Sequence, residues 1–396
     1  MSKFVGIVTE YNPFHTGHKY QIDYLKKNGF ETVVCAMSGS CVQRGSLAFM
    51  SKFDRTVLAV ESGADLVAEI PFPFSCLSAE GFAASGVMTL KSLGVDALCF
   101  GSECADEKLL YDIASYLLTE EYKQKLRQAL SQKIPYAAAR EQAVFSKFDL
   151  NKETLSASND ILAIEYIKAC IQQGWNVQLI ALKRQGAGYN RTAPKGGYAS
   201  ASVVRKMVED FRFDAASEFI PKAGKKTFDE ALNYGRYFTE DFAFEKSLLF
   251  TLRQKSAADF IKIRDCNKEL SHALEKAAAQ SDSIESFFRL LPTKMYTRAR
   301  IRRILLHAFL GREDSFPDSI QYIRLLGMSE AGETFLKQVK SCPLPISHSP
   351  KILSRKSEEC ARIIAAESAA TDAQASFCKI IQPRRTDFTR KLYKRK

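Results

Sequence analysis

The chain contains no C-x-x-C pair, although it has ten cysteines. They stand singly at 35, 41, 76, 99, 104, 170, 266, 342, 360 and 378, whereas structural zinc takes four Cys or His ligands in close pairs. No metal-ligating set is therefore expected. The thiols read as reduced, mostly buried, small apolar residues. Long hydrophobic runs are missing too: the longest, such as 33–37 and 161–164, fall far short of the roughly 18 residues that a spanning helix needs, so no membrane partner is expected. The first eight residues run straight into strand-like sequence without a small-residue cleavage site. No export signal is expected there, and the chain reads as cytoplasmic and free of disulfides. Histidine is scarce as well, five in 396 residues. Two of the five stand three residues apart, which makes their segment the first place to look for chemistry.

What remains is ordinary globular material, 46% hydrophobic and 26% charged, which excludes a disordered or collagenous chain and leaves length for two or three domains. Positive charge is unevenly placed. The first hundred residues hold 8 Lys+Arg against 9 Asp+Glu, and the rest 49 against 36. Residues 183–206 and 289–303 each hold six basic residues and no acid, and 383–396 holds seven with one Asp. A single basic tail is common solvated surface. Three such stretches point to a polyanion, and to nucleic acid in particular.

From 3 to 101, apolar β-branched runs (4–9, 32–37, 65–70, 95–100) alternate with helix-like segments (17–28, 51–62, 75–93), each ended by Gly29, Gly63 or Gly94 at the left-handed cap position. Short continuous apolar strands alternating with helices predict an α/β fold, a Rossmann-like open parallel sheet covered on both faces. A helix at 160–173, a strand at 177–182 and a helix at 202–210 extend it. The first domain is thus expected at 1–210, with a helical insertion at about 106–148. After 210, Leu, Ala, Lys and Arg recur at helical spacing, so 211–396 is expected to be mainly α-helical, with a turn-rich break near Pro343 and Pro350 before a last helix near 355–381.

The two close histidines, His15 and His18, follow the first expected strand and open the first helix. Ligands of open α/β sheets bind outside the carboxyl ends of the strands, and a helix start there offers free N–H groups to phosphate. Three residues apart, the imidazoles share one face, and Gly17 between them keeps a side chain out of a ligand's way. Local capping is the plainer use of either histidine. Gly101 ends the fourth expected strand where a side chain would block a ligand, or is a simple turn; Asn159 opens a helix, or merely N-caps it. Arg184 ends a strand inside an acid-free stretch and suits phosphate, or is an exposed arginine.

A strand followed by H-x-G-H on a helix start resembles the adenylate-forming signature of the nucleotidyltransferase and class I aminoacyl-tRNA synthetase superfamily. Further segments sharpen the likeness: Glu10 to His18, Met37 to Gly45, Phe100 to Glu103, Ser158 to Leu162, Lys183 to Tyr189, and Ala199 to Ser202 with Arg205. In this order they resemble the tRNA(Met) cytidine acetate ligase family, and the downstream Lys294-x-Tyr-Thr-Arg-x-Arg-Ile fits too. The resemblance implies a nucleotidyltransferase-type ATP-binding domain followed by a helical tRNA-binding domain. It implies activation of acetate by ATP, with Mg2+, and acetyl transfer to N4 of the wobble cytidine of elongator tRNA(Met). DNA is not an implied partner.

Carried over residue by residue, the implied catalytic pair is His15 and His18. The implied ATP-binding residues are Val8, Thr9, Glu10, Tyr11, Asn12, Pro13, Phe14, His15, Thr16, Gly17, His18, Lys19, Tyr20 and Gln21, with Gly101, Asn159 and Arg184. Ser200 to Arg205 resembles a second phosphate-handling motif, and Arg44 is expected near the phosphates or tRNA. For tRNA the candidates are Lys294, Arg298, Arg300 and Arg303, with Arg302 beside them; at these spacings they cannot all face one way. One departure stands out: where the family usually has Asn or Asp and then an aromatic residue, this chain has Ser40 and Cys41, expected to loosen the pocket near the acyl group. Two other functions remain open, a nucleotidylyltransferase acting on a small phosphate ester, and an RNA-binding protein with an inactive nucleotide fold. ATP turnover stimulated by acetate separates the first function from these two.

Overall fold

A computed structural model describes residues 3–149, 157–184, 197–293, 295–311 and 316–395. In chain order its strands are β1 (Phe4–Thr9), β2 (Thr32–Ser38), β3 (Cys41–Val42), β4 (Ser46–Leu47), β5 (Leu66–Ile70), β6 (Ala97–Ser102), β7 (Gln178–Lys183), β8 (Ile323–Met328), β9 (Ile346–Ser347) and β10 (Tyr393–Lys394). β3 and β4 form a separate hairpin, and the others make one eight-stranded sheet. Its centre runs β5-β2-β1-β6-β7, all parallel. β1, β2 and β5 are buried almost throughout, as strands covered on both faces must be.

Helices α1 (Thr16–Lys27), α2 (Lys52–Glu61) and α3 (Ala79–Leu93) supply that cover. Ser51 and Ser78 cap α2 and α3 by accepting from the Asp54 and Gly81 N–H groups. Gly94 ends α3 at φ 76°, the conformation that glycine adopts without strain. On one face Val87 and Leu90 of α3 pack with Val8 and with Ile164 and Ile167; on the other, Ile22, Leu25 and Leu58 meet Val5, Ile7 and Val204. Helix and strand approach so closely that a Cβ on Gly86 would stand 2.4 Å from Val8. Residues 106–148 contribute α4 (Glu107–Tyr116), α5 (Glu120–Ser131) and α6 (Tyr136–Phe145).

The expected boundary at 210 needs correction, because it cuts through the sheet. β8 pairs antiparallel with β5, and β9 and β10 flank β8. Without them the edge of β5 would expose unpaired backbone. The described residues between 213 and 311 are mainly helical, and Phe244, Leu248, Leu274, Phe287, Ile301 and Leu305 build a further core together with Cys41, Leu47, Phe72 and Ala366.

A buried charge cluster ties the carboxyl-terminal segment to the sheet. Lys52 on α2 pairs with Glu69 at 2.5 Å, Asp387 at 2.7 Å and Glu367 at 2.8 Å, and Arg324 on β8 pairs with Asp387. Burial opposes the charge on Lys52, but its three carboxylates outweigh burial and hold its pKa above the ordinary value. At Glu69 burial wins instead over the nearby Lys52 and Arg324, pushing its carboxyl up to about 7.

Candidate active site

The strand order reverses at β1 and β6, and the crevice at their carboxyl ends is where such sheets take ligands. Four groups hold the loop after β1. Tyr11 adopts φ 48° and sets its ring against Phe14 at 4.7 Å and His18 at 4.8 Å. The Asn12 Oδ1 accepts from the Phe49 N–H at 2.7 Å, and its carbonyl accepts from Arg205 at 2.6 Å. Buried Arg55 donates to the carbonyls of Glu10 at 2.6 Å and Ser38 at 3.0 Å, joining the loops after β1 and β2.

His15 is the N-cap of α1, its Nδ1 accepting from the Gly17 N–H at 3.0 Å. The His18 Nδ1 accepts from the His15 N–H at 3.2 Å, and the two rings stack 3.8 Å apart. An imidazole that accepts at Nδ1 carries its proton at Nε2. Burial, then Arg184 and Arg205, lowers the His15 pKa to about 3; burial, then His15 and Arg184, holds His18 well below its ordinary value. Both imidazoles are therefore neutral Nε2–H donors. Capping occupies Nδ1 of each ring and leaves Nε2–H for another partner. Gly17 has a nearer duty than admitting ligand: a Cβ there would lie 2.9 Å from the His15 Cε1, so its absence makes room for the capping ring.

These groups line a cavity of about 650 Å3. Among the described residues, Arg44, Lys183, Arg184, Arg205, Arg298 and Arg302 reach it, against Glu10, Glu209 and Glu240. It also receives the first turns of helices Ser158–Gln172 and Ala201–Glu209, whose N–H groups and dipoles favour an anion. Among the expected residues, Val8, Thr9, Glu10, Tyr11, Asn12, His15, Gly17, His18, Tyr20, Gln21, Gly101, Asn159 and Arg184 line it. Pro13, Phe14, Thr16 and Lys19 do not. Phe14 is buried behind the histidines, the Thr16 N–H donates to the Phe219 carbonyl at 2.8 Å, and Lys19 pairs with Asp23.

Asn159 is not an N-cap, since Ala157 holds that position. Its Nδ2 donates to the Glu103 Oε1 at 2.5 Å, and Arg184 stands 3.8 Å from the same oxygen. Glu103 thus sets both residues, a role that sequence spacing did not disclose. Gly101 leaves open wall: a Cβ there would meet only the Arg184 stem, at 3.5 Å.

Two expectations are overturned. Ser40 and Cys41 do not loosen the pocket, because neither lines it. The Ser40 N–H donates to the Glu367 Oε1 at 2.8 Å, its hydroxyl shares a 2.8 Å hydrogen bond with Thr371, and Cys41 is buried in the helical core. Arg303 is not a surface cation. It is 9% exposed and sits 3.5 Å from the Gln43 carbonyl, bracing the loop that brings Gln43 and Arg44 to the cavity. Arg298 and Arg302, four residues apart on one face of helix Arg298–Phe309, reach the cavity. Arg300 turns away to the Asp265 carbonyl at 2.8 Å and over the Tyr296 ring. Lys294 and residues 185–189 of the expected motif lie outside the described residues.

Comparison with known proteins first gives the class. The family model described as HIGH Nucleotidyl Transferase matches residues 2–388. The tRNA(Met) cytidine acetate ligase of Fervidobacterium nodosum is 34% identical over 92% of this chain and 88% of its own. That of Caldanaerobacter subterraneus subsp. tengcongensis is 35% identical over 97% and 98%. The crystal structure of Thermotoga maritima TmcAL bound with alpha-thio ATP superposes with a TM-score of 0.89 at 29% identity, covering all of both chains. Within the HIGH nucleotidyl transferases, this chain belongs to the tRNA(Met) cytidine acetate ligase family.

Proposed function

We propose that this chain activates acetate with ATP as acetyl-adenylate and passes the acetyl group to N4 of the wobble cytidine of elongator tRNA(Met), forming N4-acetylcytidine. The observation that carries the reading is the stacked, neutral pair His15 and His18 facing Arg184 and Arg205 across the crevice of β1 and β6.

Acetate does not acylate a weak aromatic amine until its oxygen sits on a good leaving group. In the first step an acetate oxygen attacks the α-phosphorus of ATP and pyrophosphate departs. Such transfers depend on positioning and charge stabilisation. The two Nε2–H groups donate to phosphate oxygens, Arg184 and Arg205 offset the negative charge, and the first turn of helix Ser158–Gln172, where the Asp160 N–H already donates to Glu103 at 3.1 Å, adds its dipole. In the second step the cytidine amine attacks the acetyl carbon and AMP departs.

Mg2+ fits this site as a companion of the ATP phosphates. Glu10 stands on the wall, and among the described residues no group of three or more His, Cys, Asp or Glu side chains forms a cage. Such a wall suits an ion that keeps most of its waters and binds chiefly to phosphate. It would supply charge neutralisation there.

The test is ATP–pyrophosphate exchange with and without acetate, on the wild type and His18→Ala. The reading expects acetate-dependent exchange that the variant loses. Exchange indifferent to acetate would sink it.

A further inference from the structure

A second cavity of about 250 Å3 opens beside the first and shares Glu240, Arg298 and Arg302 with it. Phe244, Leu248, Phe288 and Leu305 form its apolar walls. It is smaller than the roughly 300–1,000 Å3 of sites for drug-sized ligands, room for one flat heterocycle and not for a nucleoside triphosphate. The Arg298 guanidinium lies 4.5 Å over the Phe288 ring and pairs with Glu285 at 2.8 Å. Glu240 pairs with Arg302 and accepts from the Ser46 hydroxyl at 3.0 Å, so its carboxylate is held at the partition between the two cavities. Both of those contacts fall on the Glu240 Oε1; the other acids on the wall have partners too, Glu245 accepting from the Ile284 N–H at 2.5 Å and Glu285 from Arg298.

A carboxylate is the natural acceptor for the exocyclic amine of cytosine. Enzymes that act on a base take it out of its stack, and single-stranded RNA loops present splayed bases readily. We propose that the smaller cavity is the acceptor subsite. It takes the extruded cytosine, with Glu240 accepting from N4 and directing it at the acyl-adenylate next door. This rests on the ligase reading above. N4 attacks the acetyl carbon and the C–N bond forms. The bond from that carbon to the adenylate oxygen breaks, AMP leaves with the electron pair, and the N4 proton passes to Glu240.

The test measures acetate-dependent pyrophosphate exchange and transfer of labelled acetate to a tRNA(Met) transcript on the same proteins. Leu248→Trp fills the smaller cavity from a wall that the larger one does not share. Transfer should fall about tenfold, the scale of losing one stacked base, while exchange persists and reports a folded protein. Glu240→Gln should lower the ratio of transfer to exchange about 100-fold, through kcat rather than KM for tRNA, with partial rescue by Glu240→Asp. Unchanged transfer in either variant, or exchange falling as far as transfer, overturns the subsite. A wild type without acetate-dependent exchange overturns the ligase reading and the subsite with it.

Discussion

His15 and His18 stack 3.8 Å apart while each accepts a backbone N–H through Nδ1. The helix start and the proposed phosphate donors are therefore one construction, and on that proposal the two duties separate by nitrogen. Asparagine reaches the Nδ1 position but not Nε2. His18→Asn should keep the fold while pyrophosphate exchange falls about 100- to 1,000-fold, the scale of losing one preorganised donor. His15→Ala should lose the donor and also about 1 kcal/mol of stability with the cap. Urea denaturation beside the exchange assay checks both; equal stability losses in the two variants would refute the division of labour.

The same burial predicts a pH dependence of stability. The folded His15 has its pKa lowered from 6.5 to about 3, and His18 shifts the same way. Between those values the unfolded chain binds protons that the folded chain refuses. Stability from this source is thus fully present above pH 6.5 and lost on acidification, by up to about 1.4 kcal/mol per pH unit for each histidine. Thermal melts between pH 4.5 and 7.5 should fall more steeply for the wild type than for the His15→Asn, His18→Asn double variant. Parallel curves would mean that the histidines are not responsible.

Glu367 holds the loop after β2 from outside the cavity. Its Oε1 accepts from the Ser40 N–H and from Lys52, each at 2.8 Å, and its Oε2 from the Phe72 N–H at 2.5 Å. A Cβ on Gly39 would come within 2.5 Å of that carboxylate. Ser40→Ala should cost about 1 kcal/mol and leave exchange at the wild-type rate. Glu367→Ala removes one of the three carboxylates around Lys52 and leaves the buried Ser40 and Phe72 N–H groups unpaired, and should cost about 3–5 kcal/mol. Chemical denaturation measures both, and a Ser40→Ala variant with altered acetate KM would return Ser40 to the pocket.

The sequence was most readable where the determining interactions are local. The run 4–9 matches β1 residue for residue, and Gly29, Gly63 and Gly94 all take positive φ after their helices. It was least readable where distant chain decides. The segment at 323–328 continues a Leu- and Arg-rich pattern, and its pairing with β5 makes it a strand. Glu103 and Glu367 look like any surface acids in sequence, because their partners Asn159 and Ser40 lie 56 and 327 positions away. The arginine spacing at 298–303 showed that not every side chain can face one way. Which one is buried depends on how closely the loop at Gly45 approaches the helix: a Cβ there would stand 2.4 Å from the Arg303 backbone nitrogen, so only glycine fits.

That burial predicts different behaviour of two arginines in tRNA binding. Arg298 is exposed at the rim of both cavities, whereas Arg303 is enclosed behind the Gln43 loop. A phosphate contact releases counterions, so log affinity falls with log salt by about 0.7–0.9 for each contact. Arg298→Ala should therefore weaken tRNA binding at low salt and reduce the slope by about one contact's worth. Arg303→Ala should leave the slope unchanged and instead destabilise the fold by about 1–3 kcal/mol, the cost of unpairing buried hydrogen-bonding groups. Filter binding across a salt series with each variant decides the matter. A wild-type slope near zero would remove the basic surface from tRNA recognition, and a slope change confined to Arg303→Ala would reverse the assignment of the two residues.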